Sequence, residues 1–191
     1  RAPLMAECAR RSLALSENRH LAGRALVIEA DVTLQGNRRR DAGLADEHYD
    51  YVILNPPFNA ARDRKTPDPL KAEAHAMEDD DLFERWLRTA NAILKPGGQV
   101  SVIARPESLP EILQALGKRF GGVEITPIVP RLGESAIRIL VTAIKGNRAR
   151  LVLRDRVLVH DGPGHGFSPD VYDLANGRAF LPRIARNRPP K

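Results

Sequence analysis

The apolar run Tyr51-Val52-Ile53-Leu54 is closed by Asn55-Pro56-Pro57-Phe58. Proline has a fixed φ and no backbone N–H, so two in a row stiffen the chain and supply no ladder donor. The run therefore reads as a buried strand that stops at the rim of a sheet. At that rim it presents a side-chain amide, proline-stiffened carbonyls and a flat ring, an arrangement that suits a planar nitrogen-bearing substrate.

The segments around this strand set the fold class. Pro3 to Arg19 places Leu4, Met5, Cys8, Leu13 and Leu15 near a three-to-four spacing and predicts an amphipathic helix. Ala25 to Asp31 is a short apolar run ending in an acid and predicts a buried parallel strand. Gln35 to Glu47 is polar and carries Arg38-Arg39-Arg40, the composition of a loop with a short helix. Asn59 to Met77 is rich in Pro, Lys, Arg, Ala and Asp and reads as a surface excursion.

Asp79 to Leu94 has acids in its first turn and Leu82, Phe83, Trp86, Leu87, Ala90 and Ile93 on one face, so it predicts a helix. Lys95-Pro96-Gly97-Gly98 ends it and leads into a strand from Gln99 to Ala104. Leu109 to Phe120 predicts another helix, closed by Gly121-Gly122. Val123 to Val129, Ala136 to Ile144 and Arg150 to His160 read as strands, with a turn at Gly146-Asn147. Cys8 and Trp86 read as core residues.

Alternating strands and helices predict one α/β domain over residues 1–182, a three-layer α/β/α sandwich whose sheet is parallel at first and antiparallel at its end. The basic, proline-bearing stretch from Arg183 to Lys191 reads as a disordered tail. In such sheets ligands lie beyond the carboxyl ends of the strands, where Asp31 and Asn55 both fall.

Composition narrows the partners. Thirty Lys and Arg against 24 Asp and Glu give 191 residues a net charge of +6, which makes a polyanion worth considering. Cys8 is the single cysteine, which excludes an intramolecular disulfide and any multi-cysteine metal site and fits a reducing, cytoplasmic setting. No apolar stretch approaches the roughly 18 to 20 residues of a membrane span, and no signal-peptide pattern precedes the first helix. His160, Asp161 and His165 suggest a metal only until Gly162-Pro163-Gly164 is read as a turn between them, so no metal is expected. Nothing in the sequence fixes an oligomeric state.

Asn55-Pro56-Pro57-Phe58 after a strand, Asp31 at the end of the preceding strand and Leu94-Lys95-Pro96-Gly97-Gly98 before the next resemble the class I S-adenosylmethionine-dependent methyltransferases of the amino-methylating kind, with a Rossmann-like sheet. Pro130-Arg131, the run Ala136 to Val141, Lys145-Gly146, Leu151-Val152-Leu153 and Phe167-Ser168-Pro169 are similar to the family that methylates the exocyclic amine of adenine 37 in valine tRNA. Together these matches span most of the chain.

The resemblance implies S-adenosylmethionine as methyl donor and tRNA as substrate. It makes Asn55, Pro56, Pro57 and Phe58 the catalytic motif. It also gives Asp31 the cofactor's adenine amine to hold, with Val32 packing nearby and Asn55 adjoining the cofactor. A plain turn cap is the competing reading of Asp31. The family opens with a strand, a glycine-rich loop and a second strand ending in an acid, and Arg1 would fall just after that acid. The resemblance therefore implies roughly 60 to 70 residues upstream, the size of two strand-helix units; the alternative is a fragment that does not bind the cofactor alone.

An exocyclic adenine nitrogen is a poor nucleophile because its lone pair is delocalised into the ring. Acceptors for its two N–H groups, here the Asn55 side-chain oxygen and the Pro56 carbonyl, favour the pyramidal nitrogen whose lone pair can attack. Phe58 would stack on the base. Arg38, Arg39, Arg40, Arg62, Arg64 and Lys65 could contact RNA phosphates, with Arg131 and Arg138 adding to that surface; solvated loop charge is the competing reading of each. His75 reads as solvated. The alternatives to adenine N6 are guanine N2 in ribosomal RNA and glutamine N5 in a release factor. Outside enzymes, an RNA-binding remnant without cofactor binding stays open.

Overall fold

The computed structural model describes residues 3–56, 59–60, 76–77 and 81–181. Its centre is a six-stranded mixed sheet. Strand β1 (Tyr49–Leu54) is followed by two-residue strands β2 (Asn59–Ala60) and β3 (Ala76–Met77), which pair with each other in parallel. Helix α3 (Leu82–Ile93), strand β4 (Leu94–Ala104), helix α4 (Leu109–Leu116), strands β5 (Phe120–Val129) and β6 (Arg138–Lys145), and short strands β7 (Val152–Leu153) and β8 (Val157–Leu158) follow. The sheet order is β1-β4-β6-β5-β7, with β8 also pairing β5. β1 and β4 are parallel, and β6 runs antiparallel between β4 and β5. The mixed sheet, parallel first and antiparallel later, is the one the sequence predicts.

Alternation explains the core. Along β4 every second residue from Gly98 to Ala104 is buried, and β6 matches it with Ile139, Val141 and Ala143. The register sets these against each other: Leu54 opposite Val102, Val102 opposite Val141, Val141 opposite Ile125. On this face lie Phe83, Leu87 and Ala90 of α3 and Ile112, Ala115 and Leu116 of α4. Apolar area removed from water stabilises by about 25 cal/mol per Å², so this sheet–helix seam holds the fold. Gly121 permits a close crossing, since a Cβ there would come within 2.1 Å of the Asn147 carbonyl oxygen.

Several elements differ from expectation. Ala25 to Asp31 forms no strand, and Leu26 is 82% exposed. β1 is the outer strand of the sheet and is paired with β4, and the run forms no ladder beside it. Helix α1 (Pro3–Leu13) forms and leads to a 3₁₀ turn (Ser16–Leu21), yet neither buries a residue. Cys8 is exposed rather than in a core, because the apolar stripe of α1 meets no packed surface among the described residues. Trp86 is half-buried.

α4 stops at Gly117, whose φ of 49° suits glycine, and β5 already starts at Phe120, so Gly121-Gly122 lie in a strand. Leu94 enters β4 directly, and Pro96 to Gly98 fall at the register shift against β1. One helix went unforeseen: α5 (Pro169–Ala175), capped by Ser168, whose hydroxyl accepts from the Val171 N–H. The predicted excursion interior and the Arg183–Lys191 tail lie outside the described residues. Among the described residues no helix is long and apolar enough to cross a membrane.

Candidate functional site at the carboxyl edge of the sheet

Parallel pairing fixes which groups share an edge. β1 ends at Leu54 and β4 at Ala104, and antiparallel β6 begins beside them at Arg138. β5 ends at Val129 alongside Leu158 of β8. Asn55, Arg105, Arg131, Arg138 and His160 therefore all stand at or just beyond one edge of the sheet, with Asn55 at one end and His160 at the other.

Asn55 is exposed, and its carboxamide makes no hydrogen bond to a described residue. Pro56 beside it is fully buried. An anchored ring with fixed φ follows an uncommitted amide, so the amide is aimed by backbone rather than by side-chain contacts. Pro57 and Phe58 lie outside the described residues, as do Arg62, Arg64, Lys65 and His75.

Asp31 is half-buried in the loop before helix α2 (Gly36–Asp41). Its Oδ1 accepts from the Thr33 backbone N–H at 2.8 Å and from the Thr33 hydroxyl at 2.7 Å. These bonds make a side-chain turn and fix the carboxylate's orientation. Val32 beside it is half-buried. The Leu34 carbonyl accepts from the Thr89 hydroxyl at 3.5 Å, which ties this loop to α3. An oriented acid next to an apolar side chain offers an acceptor and a wall that fit a purine with an exocyclic amine.

The three arginines on α2 differ sharply. Arg39 is only 3% exposed; it donates to the Leu44 carbonyl and to Asp46. It braces its own loop and offers no surface to a phosphate in this arrangement. Arg40 donates to the other Asp46 oxygen at 2.7 Å and also to Asn37. The hydrogen bonds from Arg40, and then from Arg39, hold the Asp46 carboxyl below the usual carboxylate range. Arg38 is exposed.

At the far end, Arg131 is committed to the loop 161–166: it donates to the Gly162 carbonyl and, at 2.7 Å, to the Gly164 carbonyl. Arg138 donates to the Ile137 carbonyl at 2.7 Å. His160 Nδ1 donates to the Gly166 carbonyl at 2.8 Å, and its ring stacks on Phe167 with centroids 6.1 Å apart and planes 12° from parallel. The sequence reading passed over this pair. Its only advance signal was Ser168-Pro169-Asp170, a helix start that fixes the position of Phe167. Among the described residues no three His, Cys, Asp or Glu side chains gather as a metal-holding group.

No protein-family model matches the sequence, and no curated protein does. A solved structure does: the predicted O-methyltransferase Atu636 from Agrobacterium tumefaciens is 49% identical and superposes with a TM-score of 0.81. The match covers 97% of this chain and 78% of that one. A SAM-dependent methyltransferase from Archaeoglobus fulgidus is 14% identical with a TM-score of 0.38, covering 64% of this chain and 69% of the other.

Proposed function

The chain belongs to the class I S-adenosylmethionine-dependent methyltransferases, and from that premise we propose that it methylates an exocyclic amino nitrogen, adenine N6 in tRNA. The observation that carries this reading is Asn55: an exposed, uncommitted carboxamide at the carboxyl end of β1, set by the fully buried Pro56. An amide side chain is a poor base but a good acceptor for N–H. It suits a nitrogen whose lone pair must be released from a ring, and it offers little to a hydroxyl that must lose a proton.

S-adenosylmethionine supplies an electrophilic methyl on a positively charged sulfur. The Asn55 oxygen and the Pro56 carbonyl accept the two amine N–H groups and hold the nitrogen pyramidal. With that donor held by Asp31 and Val32, the freed nitrogen lone pair would take the methyl, the new N–C bond replacing the S–C bond of the departing thioether. Methylation acidifies the nitrogen, so its extra proton passes to water and no strong base is needed. Asp31 and Val32 are the residues to hold the cofactor's adenine, by an accepted hydrogen bond and an apolar wall. Phe58 is assigned to stacking on the acceptor base. Arg38, Arg40, Arg62, Arg64 and Lys65 are assigned to phosphates around it, and a cytoplasmic location follows from a tRNA substrate.

An oxygen acceptor is the second reading, favoured by the name of the 49% identical relative. Nucleoside mass spectrometry of tRNA and ribosomal RNA, from cells with and without the gene, separates the two. Loss of N6-methyladenosine from tRNA supports the amine reading. Loss of an O-methylated product, with N6-methyladenosine intact, overturns it; loss of a guanine N2 mark moves the acceptor to ribosomal RNA.

A further inference from the structure

We propose that the His160–Phe167 pair, with the loop 161–166 that it closes, is a stacking platform for a base several nucleotides along the same single-stranded RNA from the acceptor base. The proposal rests on the RNA reading above and adds a second contact to it. Position is the first argument. His160 stands past β8, on the same edge as Asn55 but across β4, β6 and β5. Four strand spacings of ~4.8 Å put it about 19 Å from β1, the length of about five or six stacked nucleotides at roughly 3.4 Å each. That is too far to touch the reacting base or its immediate neighbours, and within reach of a base about five or six nucleotides along the same strand.

Exposure and rigidity supply the second argument. Phe167 is 54% exposed although its ring is stacked on His160. A large apolar ring held at a sheet rim needs something flat against it, and every base has a π-face. The backbone on both sides is already fixed. His160 N–H donates to the Pro130 carbonyl at 2.9 Å, and Ser168 N–H donates to the Val159 carbonyl at 2.8 Å. Arg131 holds the loop between them by two of its carbonyls. Little conformational entropy remains to be lost on binding.

The loop's composition is the third argument. At Gly162, Gly164 and Gly166 an added Cβ would meet nothing within 4 Å, and none of the three has a left-handed φ. The fold itself demands no glycine there. Glycine also serves where a backbone must approach a ligand closely. A net charge of +6 complements the partner named.

The test is fluorescence anisotropy of a labelled unstructured RNA oligonucleotide, run beside tritiated-methyl transfer to tRNA with the same protein. Phe167→Ala is expected to weaken RNA binding about 5- to 150-fold, the usual value of one stacked base. It should raise KM for tRNA with kcat retained. Phe167→Trp restores a ring face and should bind as the wild type does. Gly164→Ala cannot strain the fold, so its expected loss of affinity reports contact rather than unfolding. If the wild type methylates tRNA and both Phe167→Ala and Gly164→Ala bind RNA normally, the platform is overturned alone. If the wild type neither binds nor methylates RNA, the RNA reading falls and takes the platform with it.

Discussion

Glu84 on α3 accepts a hydrogen bond at 2.5 Å from Nη2 of Arg119, which lies beyond the end of α4. Its other oxygen accepts from Arg88 at 2.9 Å. These bonds, that from Arg119 foremost, hold the Glu84 carboxyl below its ordinary value of 4.5. A carboxyl lowered by folding stabilises the fold above its unfolded pKa, and that stabilisation is lost as pH falls through the folded pKa. Glu84→Gln should therefore lower stability by about 1 kcal/mol at neutral pH. The gap should close once pH falls well below 4.5. Urea unfolding at both pH values checks this; an equal gap at each would contradict it.

Gly121 and Gly162 make a matched pair. A Cβ at Gly121 runs into the backbone of Asn147, whereas one at Gly162 meets open space. Gly121→Ala should cost about 1–3 kcal/mol through forced backbone shifts, and Gly162→Ala should leave stability unchanged or slightly raised. Thermal unfolding of the two variants decides it, and equal midpoints would show that the crossing of β5 and the 146–149 turn is looser than described.

The difference between those glycines bears on what could be read from the sequence. β4 and β6 were legible from their apolar residues, and α3 and α4 because their apolar faces repeat at helical spacing. β1 was legible as a strand from its apolar run, but not as a buried one, since Tyr51 and Ile53 face outward at 72% and 80% exposure on the outer strand of the sheet. Ala25–Asp31 misled because an apolar run records a preference for burial, whereas a strand also needs a neighbour. Cys8 misled for the same reason: the stripe of α1 is real, but a stripe does not say what covers it. The position of Asn55 just past the end of β1 was legible because two prolines after a strand leave few other structures open. Arg39 was not separable from Arg38 and Arg40, since burial of one cation depends on Asp46 and Leu44 closing around it in three dimensions. The His160–Phe167 pair joins residues across a loop whose path sequence does not give.

Asp31 offers a test of cofactor binding. Asparagine keeps an oxygen for the Thr33 turn but removes the charge, so Asp31→Asn should fold normally. Losing a charge-assisted hydrogen bond should weaken S-adenosylmethionine binding about 10- to 100-fold. Calorimetry measures it; unchanged affinity would leave Asp31 as a turn cap alone.

Arg38 and Arg39 should behave as opposites. Arg38→Ala should leave thermal stability intact and reduce the slope of log affinity for RNA against log salt by about 0.7, one phosphate's worth. Arg39→Ala should instead lower stability, because it leaves the Leu44 carbonyl and Asp46 without their donor. Salt titrations of binding and thermal scans of both variants check the pair, and equal effects from the two would contradict the division of roles.

The most direct measurement is methyl transfer by Asn55→Ala. With tritiated S-adenosylmethionine and tRNA, the account predicts a single-turnover rate lower by about 10²- to 10³-fold, the usual effect of removing one aligned transition-state hydrogen bond. The thermal midpoint should be unchanged, and residual product should remain N6-methyladenosine. Transfer at the wild-type rate by a folded Asn55→Ala protein would contradict the account.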